Sequence, residues 1–248
     1  MKGVILAAGV ASRLRPLTDL VPKCLLEMGG GTILGLTLEN LIANGIADII
    51  IVTGYREAMI REYVRDSFPA LDVEFITNDR FAATNNLASL YLTEGSVGDE
   101  DMILLDSDIV FDRRIIGLLT GPARGNCLAM KTGTVLGPEE IKVETGPGNT
   151  VRRIGKEVPP PCAAGESIGI EKLSGEFLED LYPLLGSMMQ KEQGENLFYE
   201  AAFQRAITLG SVMTAVDVGA LQCIEIDTPE DLESARAAYA LAQGASRR

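Results

Sequence analysis

Apolar residues along the chain fall into short continuous runs that alternate with stretches of helical spacing. Residues 3–7 form an apolar run ending in small residues, which predicts a strand buried on both faces. Residues 33–44 place Ile33, Leu34, Leu38, Leu41 and Ile42 on one helical stripe, and Gly45 marks its end. The run Ile49-Ile50-Ile51-Val52 predicts a second buried strand within 48–53. Helical spacing returns over 57–68, followed by a strand over 73–77 and a helix over 86–93. A strand over 102–105 then runs into Asp106-Ser107-Asp108. Such β-α-β-α alternation predicts a parallel sheet with helices on both faces.

Beyond about residue 125 the pattern changes. Residues 128–132, 141–144, 150–155 and 167–171 read as short strands separated by Gly and Pro, with Pro159-Pro160-Pro161 as a loop. They predict an antiparallel elaboration of the first sheet, not an independent domain. Helices are expected over 175–190 and 198–209, then a strand over 223–226. A last helix opens with Thr228 as N-cap, Pro229 as its first residue and Asp231 as the acid of its first turn. The tail, 244–248, is expected to fray.

Composition narrows the function. The chain is 46% hydrophobic and only 23% charged, which excludes disorder as its main state. It contains no His, which removes imidazole bases, Ser-His-Asp triads and His-ligated zinc. A net charge of −13, from 35 acids against 22 bases, argues against nucleic acid or an anionic membrane as partner. Cys24, Cys127, Cys162 and Cys223 are scattered without a CxxC pair and read as free thiols of a cytoplasmic protein. No segment approaches the roughly 18 apolar residues of a membrane span.

The richest chemistry lies in the run LAAGVASRLRPLTDLVPKCLL, residues 6–26. A loop of small residues directly after a buried strand lets the backbone approach a ligand and offer N–H groups to phosphate. It is neither a Walker A loop nor a GxGxxG fingerprint. Arg13 and Lys23 are the cations placed to clamp an anion there. Asp106 and Asp108 follow a buried strand, where ligands bind in open α/β sheets. Hard oxygen donors without His point to Mg²⁺, although Asp108 could instead cap the next turn. Alternation puts Glu225 and Asp227 on one side of a late strand, facing a cation or, alternatively, the helix N-terminus at Thr228. The amide side chains of Asn78, Asn85 and Asn86 suit the edge of a pyrimidine, with helix capping as the other role for Asn85 or Asn86.

The run over 6–26 resembles the signature of the nucleotidyltransferases that activate phosphorylated sugars and alcohols with a nucleoside triphosphate, approximately LAAGxGxRLxPLTxxxPKxLL. It departs at Ala11, where many members carry Gly. The resemblance implies a Rossmann-like, glycosyltransferase-A-like α/β fold: a mostly parallel mixed sheet with helices on both faces. It implies one domain over 1–248, with a nucleotide-binding half (1–125) and an acceptor-binding half (126–248). It assigns Leu6, Ala7, Ala8 and Gly9 to the nucleotide, Arg13 to the β- and γ-phosphates and Lys23 to the transferred α-phosphate. Asp108 and Asp227 become Mg²⁺ ligands, with Glu225 as a further one and Asp106 behind them.

The Asn-Asn-x-x-Ser-Leu pattern at 85–90 looks like the branch of CTP:phosphocholine and aminoethylphosphonate cytidylyltransferases, with Thr84 and Asn85 in its base-contacting loop. In that branch Lys156 would hold the acceptor's phosphate or phosphonate. Glu166, Tyr199 and Glu200 would receive an amine or quaternary ammonium, ordinary helix packing being the alternative for Phe198 and Tyr199. The expectation is Mg²⁺-dependent transfer of CMP from CTP to a small phospho-acceptor, with a homodimer possible. A sugar-1-phosphate uridylyl- or thymidylyltransferase, a DxD glycosyltransferase and a non-enzymatic nucleotide sensor are the alternatives.

Overall fold

The apolar runs of the first half become the strands β1 (Lys2–Ala7), β2 (Ile49–Thr53), β3 (Val73–Thr77) and β4 (Met102–Asp106). β1 pairs in parallel with both β2 and β4, and β2 with β3. The computed structural model describes residues 1–121, 125–191 and 194–246. Between these strands lie the helices α1 (Ile33–Ala43), α2 (Glu57–Ser67), α3 (Asn86–Tyr91) and α4 (Glu94–Val97). The oxygen Oγ1 of Thr32 accepts from the Gly35 N–H at 3.0 Å and caps α1, and Gly45 ends it at φ +76°.

β1 explains why its sequence is continuously apolar. Val4 and Leu6 pack on one face of the sheet, with α3 residues Leu87 and Leu90. Ile5 and Ala7 pack on the other, with Leu34, Leu38 and Leu41 of α1 and Ile60 of α2. A strand covered on both sides has no solvated face to mark with polar residues. Each such side chain contributes roughly 1.5–3 kcal/mol by leaving water.

After β4 come β5 (Ile109–Phe111) and α5 (Arg114–Leu119), then β6 (Cys127–Lys131), β7 (Lys142–Thr145), β8 (Val151–Gly155) and β9 (Gly165–Leu173). β9 runs antiparallel to both β4 and β6, and β7 pairs antiparallel with β8 and β9. This is the antiparallel extension of one sheet that the second half predicts. α6 (Gly175–Lys191) and α7 (Glu200–Thr208) pack on it, and β10 (Thr214–Asp217) adds a parallel edge to β6. The main sheet is thus ordered β10-β6-β9-β4-β1-β2-β3.

The late strand, β11 (Cys223–Glu225), does not join this sheet. It pairs antiparallel with β5 in a two-stranded ribbon, Cys223 opposite Phe111 and Glu225 opposite Ile109. α8 (Pro229–Ser246) follows with the expected start, the Asp231 N–H donating to Thr228 Oγ1 at 3.2 Å. The helix runs to Ser246, so fraying does not begin at Gly244; residues 247–248 lie outside the described residues. Among the described residues no helix is long and apolar enough to cross a membrane.

Candidate active site

The segment after β1 turns three times in short 3-10 pieces, Ser12–Leu14, Leu17–Asp19 and Lys23–Leu25. Leu14, Leu26 and Met28 anchor it in a small core with Val110, Ile226, Leu232 and Ala235, so the loop rests on the β5–β11 ribbon and α8. Ala11 adopts φ +50°, ψ +52°, the left-handed region that favours glycine. Its carbonyl accepts from Thr18 Oγ1 at 2.9 Å, and the Tyr55 hydroxyl donates to the Thr18 carbonyl at 2.9 Å. The backbone at Ala11 is therefore the same tight path a glycine would take, held by bonds from either side.

Register brings this loop to the carboxylates. Leu6 of β1 lies opposite Asp106 of β4, so the chain leaves both strands at the same edge of the sheet. The Ile226 N–H donates to the Asp108 carbonyl at 2.9 Å, which carries Asp227 to the same place from the far end of the chain. Carboxylate oxygens of Asp108, Glu225 and Asp227 lie within 4.8 Å of one another. Three hard oxygen donors gathered so closely fit a divalent cation of the Mg²⁺ type. The helix-cap role is filled by others: Asp231 Oδ2 accepts from the N–H groups of Asp227 and Thr228, leaving the Asp227 carboxylate free of the α8 terminus.

Lys23 lies among these acids. Its Nζ donates to Asp108 Oδ2 at 2.8 Å and to Asp227 Oδ1 at 2.9 Å, while Arg13 reaches Asp227 Oδ2 at 2.8 Å. Burial disfavours the Lys23 ammonium, but Asp108 and Asp227 outweigh it and hold its pKa above the ordinary lysine value. Glu225 is exposed, yet loss of water around its carboxyl, then the like charges of Asp108 and Asp227, raise it to about 7.

A cleft of about 400 Å³ opens over these groups, lined on one side by Leu6, Ala7, Ala8, Gly9 and Arg13. Asn78, Thr84, Asn85 and Asn86 also line it. Their amides are partly committed. Asn78, 3% exposed, donates to Thr84 Oγ1 and Ser89 Oγ at 3.0 and 3.1 Å. Asn86 Oδ1 accepts from the Tyr199 N–H at 3.0 Å, and Asn85 is the N-cap of α3. Asn78 and Asn86 thus fasten the loop, while Thr84 and Asn85 sit at its open end.

The opposite wall holds Lys156, Glu166, Phe198 and Glu200. Lys156 Nζ donates to Glu139 Oε2 at 2.9 Å and lies 4.7 Å from the centre of the Phe198 ring. Burial raises the Glu166 carboxyl. Tyr199 is not part of that wall. Its ring is fully buried, 5.1 Å from that of Phe203, and its hydroxyl meets Asp106 Oδ2 at 3.2 Å and Glu171 Oε2 at 3.3 Å. The exposed aromatic face of this segment belongs to Phe198.

Beneath the cleft lies a group of acids that the sequence reading did not assemble. Burial first, then the charges of Asp108, Glu200 and Glu171, pushes Asp106 well above the usual carboxylate range. Burial likewise raises Glu171. One tyrosine proton serves one acceptor at a time, and Ser167 Oγ donates to the other Glu171 oxygen at 3.3 Å. The available signal was Glu171, an acid that follows Ile168-Gly169-Ile170 and lies opposite Leu104 and Leu128 in the sheet.

Residues 2–120 match the nucleotidyl transferase family model. The match covers just under half of the chain. The chain is 26% identical to CMP-5'-(3-aminopropyl)phosphonate synthase of Streptomyces rubellomurinus over 95% of this chain and 38% of that one. It is 36% identical to choline-phosphate cytidylyltransferase of Streptococcus pneumoniae over 43% of this chain and 45% of that one. The matched region thus spans less than half of either relative's length. The solved structure of CTP:phosphocholine cytidylyltransferase from Streptococcus pneumoniae superposes with a TM-score of 0.74 and 21% identity, covering 96% of this chain and 98% of that chain. The two halves together therefore share the fold of that structure, the Rossmann-like mixed sheet that the signature implies.

Proposed function

We propose that the protein transfers CMP from CTP to a small phosphate or phosphonate acceptor and releases pyrophosphate. The observation that carries this reading is the Lys23 ammonium between Asp108 and Asp227, at the mouth of the loop formed by residues 6–13. Cations and metal-type carboxylates in one cleft suit a triphosphate, whose charge must be neutralised locally on a chain of net charge −13. The choice of cytidine is supported by the two relatives named for CMP or cytidylyl transfer.

In this reading residues 1–125 supply the nucleotide side and 126–248 most of the acceptor side, in one domain. Leu6 to Gly9 pass their backbone along the nucleotide, Thr84 and Asn85 meet the base, and Asn78 and Asn86 hold that loop in place. An acceptor oxygen attacks the α-phosphorus in line, and the bond to the pyrophosphate oxygen breaks. The acceptor is already ionised near neutral pH, so the absence of His is no obstacle. Lys23 leaves its carboxylates to meet the α-phosphate, and Arg13 turns to the departing pyrophosphate. Asp108 and Asp227, with Glu225, hold Mg²⁺, which supplies charge neutralisation to the phosphates when bound.

The test is pyrophosphate release with each of the four NTPs against phosphocholine, 2-aminoethylphosphonate and glucose 1-phosphate, with Mg²⁺ or EDTA. CTP with a non-sugar acceptor, only in Mg²⁺, is the expected pair. Preference for UTP or dTTP with the sugar phosphate overturns the choice of substrates. Tight nucleotide binding without turnover on any pair overturns the enzymatic reading.

A further inference from the structure

The acceptor wall contains a carboxylate, Glu200, that is held by its own backbone N–H but has one oxygen that no group answers among the described residues. Glu200 is the first residue of α7 and is only 4% exposed. Its Oε2 is buried without a hydrogen-bond partner, yet the residue lines the cleft. Lys156 is a neighbouring cation, but its Nζ donates to Glu139 and not to Glu200. Glu140, also on the lining, has a second buried oxygen in the same state. A buried carboxylate oxygen left unpaired costs free energy until a donor arrives, and a positive donor offsets the charge as well.

Three kinds of acceptor head group can be compared against this wall. A neutral alcohol brings a donor without charge. A quaternary ammonium brings charge without an N–H, and is held chiefly by several aromatic faces. The cleft offers few of these. Its aromatic lining residues are Phe81 and Phe198. Phe81 lies at the nucleotide end against Gly54 and Tyr55, and the Phe198 ring already carries Lys156. The rings of Tyr199 and Phe203 are turned into the core. A primary ammonium brings both charge and N–H donors, and of the three it alone gives Glu200 Oε2 a hydrogen bond and offsets its charge.

We infer that Glu200, assisted by Glu140, selects acceptors whose phosphate or phosphonate is joined by a short chain to a primary ammonium, over trimethylammonium and over neutral alcohols. The inference rests on the cleft being the phospho-acceptor site of the proposed transferase, and names the acceptor class.

The experiment is calorimetric titration of the full chain, loaded with Mg²⁺ and α,β-methylene CTP, with 2-aminoethylphosphonate, its N,N,N-trimethyl counterpart and 2-hydroxyethylphosphonate. The amine is expected to bind about tenfold or more tightly than either analogue, because a site built for N–H donors rejects ligands that lack them. Glu200→Gln is expected to remove most of that preference while the CTP analogue still binds as before, which also shows that the variant is folded. Glu200→Asp, which keeps the charge but retracts it, should fall between. Equal binding of the three probes to the wild type, or an undiminished preference in Glu200→Gln, overturns the inference. Turnover with CTP on all three acceptors at equal kcat/KM leaves the transferase standing and the selection refuted. Glu200-dependent preference for the amine without turnover on any NTP does the reverse. Should the CTP analogue not bind, the same titrations without it decide the selection separately from the nucleotide.

Discussion

Replacing Lys23 by Met removes a cation from between two carboxylates while keeping most of the side-chain stem. The ammonium lies 2.8 Å from Asp108 and 2.9 Å from Asp227, with 11% of the side chain exposed. At an effective dielectric of about 20, opposite unit charges about 4 Å apart attract by about 4 kcal/mol. Removing one member of a buried pair commonly costs about 3–5 kcal/mol, because the other charge is left uncompensated. Here the carboxylates of Asp108 and Asp227 are 24% and 27% exposed, and Arg13 still holds Asp227. Water and Arg13 take up part of the loss, so Lys23→Met is expected to cost about 2–3 kcal/mol in EDTA, below that range.

The same variant gives a divalent cation three carboxylates with less competing charge. Mg²⁺ at about 100 times its Kd stabilises the state that binds it by about 2.7 kcal/mol, enough to restore what the substitution removed. Urea unfolding in EDTA and in Mg²⁺ therefore reads the bridge directly: a large gain from Mg²⁺ in Lys23→Met, and a smaller one in the wild type. In turnover the variant should lose about 100- to 1,000-fold in kcat, the usual effect of deleting one preorganised charge at the reacting centre. CTP binding, still held by the loop and Arg13, should fall much less. A variant as stable as the wild type in EDTA, or indifferent to Mg²⁺, refutes the bridging argument. Normal kcat at saturating CTP refutes the role in transfer.

Ala11→Gly should stabilise the protein by about 0.5–1 kcal/mol in chemical unfolding, since Ala11 sits at φ +50° and glycine adopts that region without penalty. A loss of stability would mean that the Ala11 methyl contributes packing that outweighs the strain. Tyr199→Phe should cost about 1–3 kcal/mol by taking a donor from buried Asp106 and Glu171, with the KM for the acceptor little changed because the ring does not reach the cleft. Burial holds the Glu200 carboxyl at about 7 in the fold against 4.5 ordinarily, opposed by the hydrogen bond from its own backbone N–H and then by Lys156. Its folded state binds the proton more tightly, so its contribution is complete below about pH 4.5 and is lost as pH rises through 7, an effect on the order of 3 kcal/mol. Raised Asp106 and Glu171 act in the same direction. Metal-free wild type should unfold at lower urea at pH 8 than at pH 5, and Glu200→Gln should flatten that slope; equal midpoints in the wild type would refute it.

What could be read from the sequence, and what could not, follows the distance over which each feature is determined. Residues 49–52 announce a strand because both faces of β2 are buried, and the loop of 6–26 is legible because its phosphate-directed residues are close in sequence. Asp108 and Asp227 were also legible, each at the end of an apolar run. β5 was not: three apolar residues after Asp106-Ser107-Asp108 have no period, and the strand exists through pairing with β11, Cys223 against Phe111. β10 is likewise a short edge strand defined by its partner β6. The bridge of Lys23 to Asp227 spans 204 residues and leaves no local trace at all.

The exchange of Phe198 for Tyr199 as the exposed aromatic has a sharper cause. The two are adjacent at the start of α7, and neighbouring positions there point in directions far apart. Which one faces the cleft depends on where the helix begins, and sequence patterns leave helix ends uncertain by one or two residues. Tyr199 is the N-cap and its N–H is held by Asn86 Oδ1, a contact made across 113 residues. The tyrosine side chain turns inward onto Asp106 and Glu171, and Glu200 follows in the first turn with one carboxylate oxygen unpaired. Asn86, at the start of α3, thus helps to fix the start of the helix that brings Phe198 and Glu200 to the cleft, so the two halves of the cleft are built as one unit.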